Sequence, residues 1–279
     1  MAAGVDPEAI ERLVASPRDG FEGKVALLSG APWGVTRALA LSLAARGATP
    51  IIGHRYDEPA AHDTIAEIRR QGFAALAMCG DPESLREIEQ MFDTVAERFG
   101  RLDFFVCDSL PSDARPVLEL QPEQLESPFT VNMRAVVVGA QRARRLMDRG
   151  GRIVVLTRCA SQRAFPGGAN FQSARAAAEQ WAKSMAVELA PHGINVNIVA
   201  LGLVEPDIPT DTPNAGSVAS LEAIAPMIPK RRVGSAQEVA DTVLFLLSPA
   251  SEYVTGATLL MDGGLTASWY VGGSDLPAV

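Results

Sequence analysis

Lysine is scarce in this chain. It occurs only as Lys24, Lys183 and Lys230, so the 25 basic residues are mostly arginine. They are outnumbered by 33 acidic residues, for a net charge of -8. Such a chain repels phosphate backbones, which excludes nucleic acid as an expected partner. Aromatic residues make up only 6% of the chain, and there are three histidines and three cysteines. His54, His62 and His192 show no ligand spacing, so no metal site is expected. Cys79, Cys107 and Cys159 each end an apolar run, with the spacing of neither a metal site nor paired disulfides. Small buried residues are the expectation for all three. No apolar run approaches the roughly 18 to 20 residues of a membrane span. The first twenty residues are acidic and amphipathic and lack the apolar centre of a signal peptide. A cytoplasmic location is therefore the default.

What the chain does have is apolar content, 47% of 279 residues, enough for one large core. Strand-like and helix-like stretches alternate from Lys24 to the end. Apolar runs at 24–29, 48–53, 73–79, 103–107, 151–157, 194–200 and 256–261 predict strands. Helices are predicted over 33–46, 58–71, 122–149, 171–190 and 235–248. A further helix starts at Asp81-Pro82, with Asp81 as cap, and runs to about Phe99. Residues 204–230 hold five prolines and little periodicity, which predicts a loop or lid. Short connections between alternating elements imply a doubly wound Rossmann-type α/β fold, a parallel sheet of about seven strands covered on both faces. Residues 1–22 are expected to form an N-terminal helical extension, and 23–279 a single domain.

In such a sheet ligands bind beyond the carboxyl ends of the strands. After the first strand comes Ser29-Gly-Ala-Pro-Trp-Gly34. Gly30 permits a tight turn, and Gly34 opens a helix whose amides can hold a phosphate. Arg55, just past the second strand, is placed to pair with the 2′-phosphate of NADP. A solvated loop arginine is the competing reading.

Order and spacing over residues 24–265 resemble the short-chain dehydrogenase/reductase family. The matching features are Ser29-Gly30-x3-Gly34, Asp81 after the third strand, Leu102-Asp103, Asn132, Val187-Glu-Leu-Ala-Pro-His-Gly-Ile-Asn-Val-Asn197, Gly202 and Asp262-Gly263-Gly264. Within the family the chain is most similar to acyl-carrier-protein-linked reductases of the β-ketoacyl and enoyl types. The resemblance implies an NAD(P)(H)-type oxidoreductase with Ser29, Gly30, Trp33, Gly34, Arg55 and Asp81 around the cofactor, Asp81 near the adenine. It also implies assembly through the helix at 171–190, where Ala176, Ala177, Ala178 and Ala182 are small; core packing is the competing reading of that face.

The departures fall on the chemistry. Thr36 stands where the family's loop has a third glycine, Pro32 removes a backbone donor, and Trp33 sets a ring beside the phosphate path. The family's Asn-Asn-Ala-Gly is Cys107-Asp-Ser-Leu110, and its Pro-Gly-x-x-x-Thr is Leu201-Gly-Leu-Val-Glu-Pro206. Weak or absent NADP or NAD binding is expected from these changes. The family's Ser precedes the Tyr of Tyr-x-x-x-Lys by thirteen residues, and that spacing joins Arg158 to Phe171, with Arg175 at the Lys position. Phe171 has no proton to give, and an arginine pKa above ~12 rules out donation near neutrality. Of the catalytic set Asn132 remains, with a role as a satisfied polar group inside a helix competing. Three readings follow: a degenerate, inactive subunit or binding protein, as a homo-oligomer or beside an active relative; a divergent enzyme of acyl metabolism that stabilises an oxyanion with Arg158 and Arg175; or a non-catalytic ligand sensor. A small acyl-type molecule is the expected ligand.

Overall fold

The computed structural model describes residues 20–55, 59–82, 84–108, 116–162, 164, 166–205 and 224–268. Most of the expected lid at 204–230 and nearly all of the N-terminal extension lie outside them. The chain alternates β1 (Val25–Ser29), α1 (Val35–Ala44), β2 (Thr49–His54), α2 (Pro59–Arg70), β3 (Leu76–Cys79), α3 (Leu85–Phe99) and β4 (Phe104–Asp108). It continues with α4 (Pro122–Met133), α5 (Gly139–Leu146), β5 (Arg152–Arg158), α6 (Ala169–Leu189), β6 (Asn195–Leu201), α7 (Ala236–Leu247) and β7 (Thr258–Met261). The seven strands form one parallel sheet in the order β3-β2-β1-β4-β5-β6-β7. The order reverses between β1 and β4, which opens a crevice at their carboxyl ends.

Alternation along each strand fills two cores. Leu28, Ile52, Val106, Val154 and Val199 pack with Leu39 and Leu43 of α1, Ile65 and Ile68 of α2 and Val243 and Leu247 of α7. Leu27, Ile51, Phe105, Val155 and Ile198 face the other way, against Phe92 and Val95 of α3, Ala140 and Ala143 of α5 and Ala178, Ala182 and Ala186 of α6. Period-2 side chains on a strand allow one segment to serve both layers.

Several boundaries differ from expectation. Asp81 does not cap α3. Ser84 does, its hydroxyl accepting from Glu87 N at 3.3 Å. Ser84 has the extended backbone a cap needs, and Asp81 is drawn away by an ion pair with Arg55. The helical region after β4 stops at Leu146 and is broken by a π turn at Arg134–Val138. One turn earlier, Pro128 lacks an N–H and its carbonyl accepts from Asn132 Nδ2 at 2.7 Å. Cys107 is buried as expected, but Cys79, on the short edge strand β3, is exposed and Cys159 half-buried. Of the four alanines, Ala178 and Ala182 face the sheet, while Ala176 is exposed. Positions 174, 178, 182 and 186 lie four residues apart on one face of α6 and are all buried. The outward face instead shows Trp181 and Val187, beside a groove of about 790 Å³ lined by Ala140, Gln141, Arg144 and Met185. Among the described residues no helix is long and apolar enough to cross a membrane, and no side-chain cluster could hold a metal.

At the amino ends of the central strands, Asp103 ties β1 to β4. One carboxylate oxygen accepts from Lys24 Nζ and from Arg101, the other from Val25 N at 3.0 Å. Burial pushes this carboxyl up, but the donors at Arg101, Val25 and Lys24 together outweigh burial and hold it below its ordinary value of 3.8. A depressed folded-state value means the contribution to stability is complete above 3.8 and is lost as pH falls through the folded value. Asp103→Ala should therefore cost about 1.5–3 kcal/mol in urea unfolding at pH 7. The deficit relative to the native chain should shrink when unfolding is repeated near pH 3.

Candidate active site

The crevice is built from the residues that follow each strand. β1 ends at Ser29, and Gly30 turns the chain beside the end of β4. A Cβ on Gly30 would stand 3.0 Å from both the Cβ and the carbonyl oxygen of Asp108, so a larger residue would push the two strand ends apart. Gly34 sits at φ 54°, a left-handed value that suits glycine, with open space where a Cβ would be. It begins α1, which has no side-chain cap and no acidic residue in its first turn. The amides there remain available to a phosphate. Thr36 is buried in that turn, Pro32 is buried below it and Trp33 is half-buried. The turn thus leaves open space at Gly34 and an uncapped helix start beside it.

On the β2–β3 side Arg55 Nε donates to Asp81 at 3.2 Å. The two residues expected to meet opposite ends of an adenosine are here held together. Arg55 keeps about a third of its side chain exposed.

The other wall carries the altered chemistry. Phe171 and Arg175 stand one turn apart on α6, and the Arg175 guanidinium carbon lies 5.1 Å from the Phe171 ring centroid. Arg175 is fully buried. Its Nη1 donates to the carbonyl of Leu156 at 3.2 Å and lies 3.9 Å from Asp108 Oδ1, an ion pair too long for a hydrogen bond. Its Nε and Nη2, and Asp108 Oδ1, are buried without hydrogen-bond partners among the described residues. Burial lowers the Arg175 pKa to about 10, with Asp108 opposing the fall and Arg158 adding to it. Arg175 remains a cation at neutral pH. Burial also pushes the Cys107 thiol up to about 12, so this cysteine is not a nucleophile.

Arg158, the last residue of β5, is half-buried at the mouth. Its guanidinium has no hydrogen bond or ion pair among the described residues. The two arginines expected to grip one anion thus differ in exposure: Arg175 is fully buried and Arg158 half-buried. Asn132 is buried at the turn of α4, donating to Pro128.

Two carboxylates escaped the sequence reading. Asp108 belongs to the altered segment after β4 but shows no motif that marks it as a partner. Glu179, one turn beyond Arg175, is buried and accepts from Thr157 Oγ1 at 2.8 Å and from Ser161 Oγ. Its four-residue spacing from Arg175 was the available signal.

Comparison with known proteins accords with this architecture. A family model described as enoyl-(acyl carrier protein) reductase matches residues 30–266. The chain is 41% identical over 243 residues to a 1-cyclohexenylcarbonyl-CoA reductase of Streptomyces collinus, covering 87% of each. It is 33% identical to a 3-oxoacyl-[acyl-carrier-protein] reductase of Synechocystis, covering 87% of this chain and 96% of that protein. Among solved structures, a short-chain dehydrogenase from Burkholderia cenocepacia in complex with NADP superposes with a TM-score of 0.79 at 31% identity, covering 88% of this chain and 99% of that one. A short-chain dehydrogenase/reductase variant from Serratia marcescens gives 0.81 at 30% identity, with the same coverage. The chain belongs to the short-chain dehydrogenase/reductase family of NAD(P)-dependent oxidoreductases.

Proposed function

We propose that the chain is an NADPH-dependent reductase of α,β-unsaturated acyl thioesters in which Arg158 receives the substrate oxygen. The observation that carries this reading is the pairing of Arg158, which has no hydrogen bond or ion pair among the described residues, with a Phe171 that cannot donate a proton. Reducing a ketone leaves an alkoxide, which must take a proton as it forms. Reducing a conjugated thioester leaves an enolate, whose charge rests on the thioester oxygen while the proton ends on the α-carbon. The oxygen then needs a fixed cation or donor, not an acid, and a guanidinium meets that need. The cofactor supplies the hydride to the β-carbon when bound, and the α-carbon takes its proton from water. The name of the Streptomyces relative specifies a conjugated acyl thioester. Gly30, Gly34 and the first amides of α1 would hold the pyrophosphate, and Arg55 the 2′-phosphate.

A second reading, an inactive binding subunit, draws on the same Phe171 together with the sealed Arg175. Turnover separates the two. With NADPH, purified protein should reduce crotonyl-CoA, and acetoacetyl-CoA about 10²- to 10⁴-fold more slowly for want of a general acid. Arg158→Ala should lower kcat/KM for crotonyl-CoA by about 10²- to 10³-fold, the cost of losing an oxyanion donor. No turnover of any enoyl thioester with either nicotinamide would leave the inactive-subunit reading.

Binding is checked separately. Calorimetry should show saturable NADPH binding, against the weak or absent binding that Pro32, Trp33 and Thr36 suggest. Arg55→Ala should weaken NADPH by about 10- to 100-fold, the scale of one charged hydrogen bond, and leave NADH little changed. On the same reading the chain assembles through the outward face of α5 and α6. Trp181→Arg should then lower the mass measured by sedimentation.

A further inference from the structure

Arg158 ends its strand with no hydrogen bond or ion pair on its guanidinium among the described residues, yet an oxyanion donor works only if its position is fixed before the charge develops. The backbone around it is fixed by a carboxylate from another element. Glu179 Oε1 accepts from Thr157 Oγ1, one residue before Arg158, at 2.8 Å. The same oxygen contacts Ser161 Oγ, three residues after it, and Ser161 Oγ also lies 2.8 Å from the Arg158 carbonyl. One turn earlier on α6, Arg175 Nη1 holds the carbonyl of Leu156 at 3.2 Å. Residues 156, 157 and 161 are thus tied to α6 on both sides of Arg158. Thr157 and Glu179 are buried, so water does not compete for these bonds.

We propose that Glu179 is a positioning residue. Its carboxylate, bridging Thr157 and Ser161, sets the backbone of Arg158 so that the guanidinium meets the substrate oxygen. Glu179 touches no substrate and acts through Arg158. The inference rests on the role given to Arg158 above.

The test is a double-mutant cycle with two readouts. The first is crotonyl-CoA reduction with NADPH. The second needs no turnover: acetoacetyl-CoA is added without cofactor, and the near-ultraviolet absorption of its enolate reports how far the protein stabilises the oxyanion. Glu179→Ala should lower kcat for crotonyl-CoA by about 10- to 100-fold, the scale of a small misplacement. The KM for NADPH should not move. In the Arg158→Ala background the same change should have no further effect, since there is nothing left to position. Glu179→Gln retains an oxygen acceptor without the charge and should restore most of the rate. Ser161→Ala, which removes one arm of the bridge and spares the buried carboxylate, should give a smaller loss of the same kind if Glu179→Ala does not fold.

Equal losses in both backgrounds would overturn the proposal, as would a Glu179→Gln variant as poor as Glu179→Ala. The first result would mean a general structural role, and the second an effect of charge on Arg175. Turnover in the native chain with silent Glu179 and Ser161 variants leaves the function standing and removes the positioning role. An enolate signal that falls in these variants, without turnover in the native chain, does the reverse. Neither turnover nor an enolate signal in the native chain removes both.

Discussion

A guanidinium with no solvent contact keeps its charge only through what surrounds it, and Arg175 sets that condition for the carboxyl ends of β4 and β5. Removing such an ion from water costs several kcal/mol even after relaxation. The compensation here is partial and comes from four directions: the Leu156 carbonyl, the Phe171 ring, Asp108 at 3.9 Å and the field of Glu179. Three departures from the family pattern meet at this point. Arginine stands for lysine at 175, phenylalanine for tyrosine at 171, and aspartate for asparagine at 108. A ring face attracts a cation, and a carboxylate offsets the charge that the longer, forked side chain brings inside. The three changes make sense as one unit, since each alone would leave a buried charge or a buried polar group worse served.

That unit also explains why the two arginines cannot be interchanged. Arg175 is committed to the protein on every side that has an atom to offer, and its Nε and Nη2 are enclosed rather than presented. It braces β5 through Leu156. Arg158 lies at the strand's open end, where the crevice between β1, β4 and β5 meets solvent. A sealed guanidinium next to a free one is an arrangement in which one positive charge shapes the wall and the other remains for a ligand. Burial is the main cause of the lowered Arg175 pKa, and repulsion by Arg158 adds to it. That repulsion favours an anion arriving at Arg158.

The layered sheet could be read from the sequence because period-2 runs and glycine or proline punctuation are local signals, and all seven strands fall within a few residues of their expected places. The caps were less legible. Asp81-Pro82 has the composition of a helix start, but Arg55 claims Asp81 and Ser84 has the required backbone. The sequence left the faces of α6 open between core and subunit contact because alanine suits both, and only the four-residue rows of a folded helix place Ala174, Ala178, Ala182 and Ala186 in the core. The altered positions 158, 171 and 175 were visible by spacing from a known pattern. Asp108 and Glu179 were not, because their partners lie 67 and 18–22 residues away along the chain and meet them only when β4, β5 and α6 come together.

The charges at this wall bear on which state of a substrate is held best. Two guanidiniums, Arg158 and Arg175, face two carboxyl groups, Asp108 and Glu179, so the wall is close to balanced before a ligand arrives. A neutral thioester carbonyl gains a hydrogen bond at Arg158 and little more. On the proposed reading an enolate brings a full charge beside the Arg158 guanidinium, so its gain is larger than that of the neutral carbonyl. The difference between those two gains is what lowers a barrier. On the proposed reading a proton donor at position 171 would add nothing to it, because the oxygen never has to become a hydroxyl. Phenylalanine there keeps water from the guanidinium beneath it and lets Arg175 retain its place under β5. On this view the lost tyrosine follows from the change in which substrate atom takes the proton, and the site's remaining order, from Glu179 to Ser161 to the Arg158 carbonyl, serves the oxygen alone.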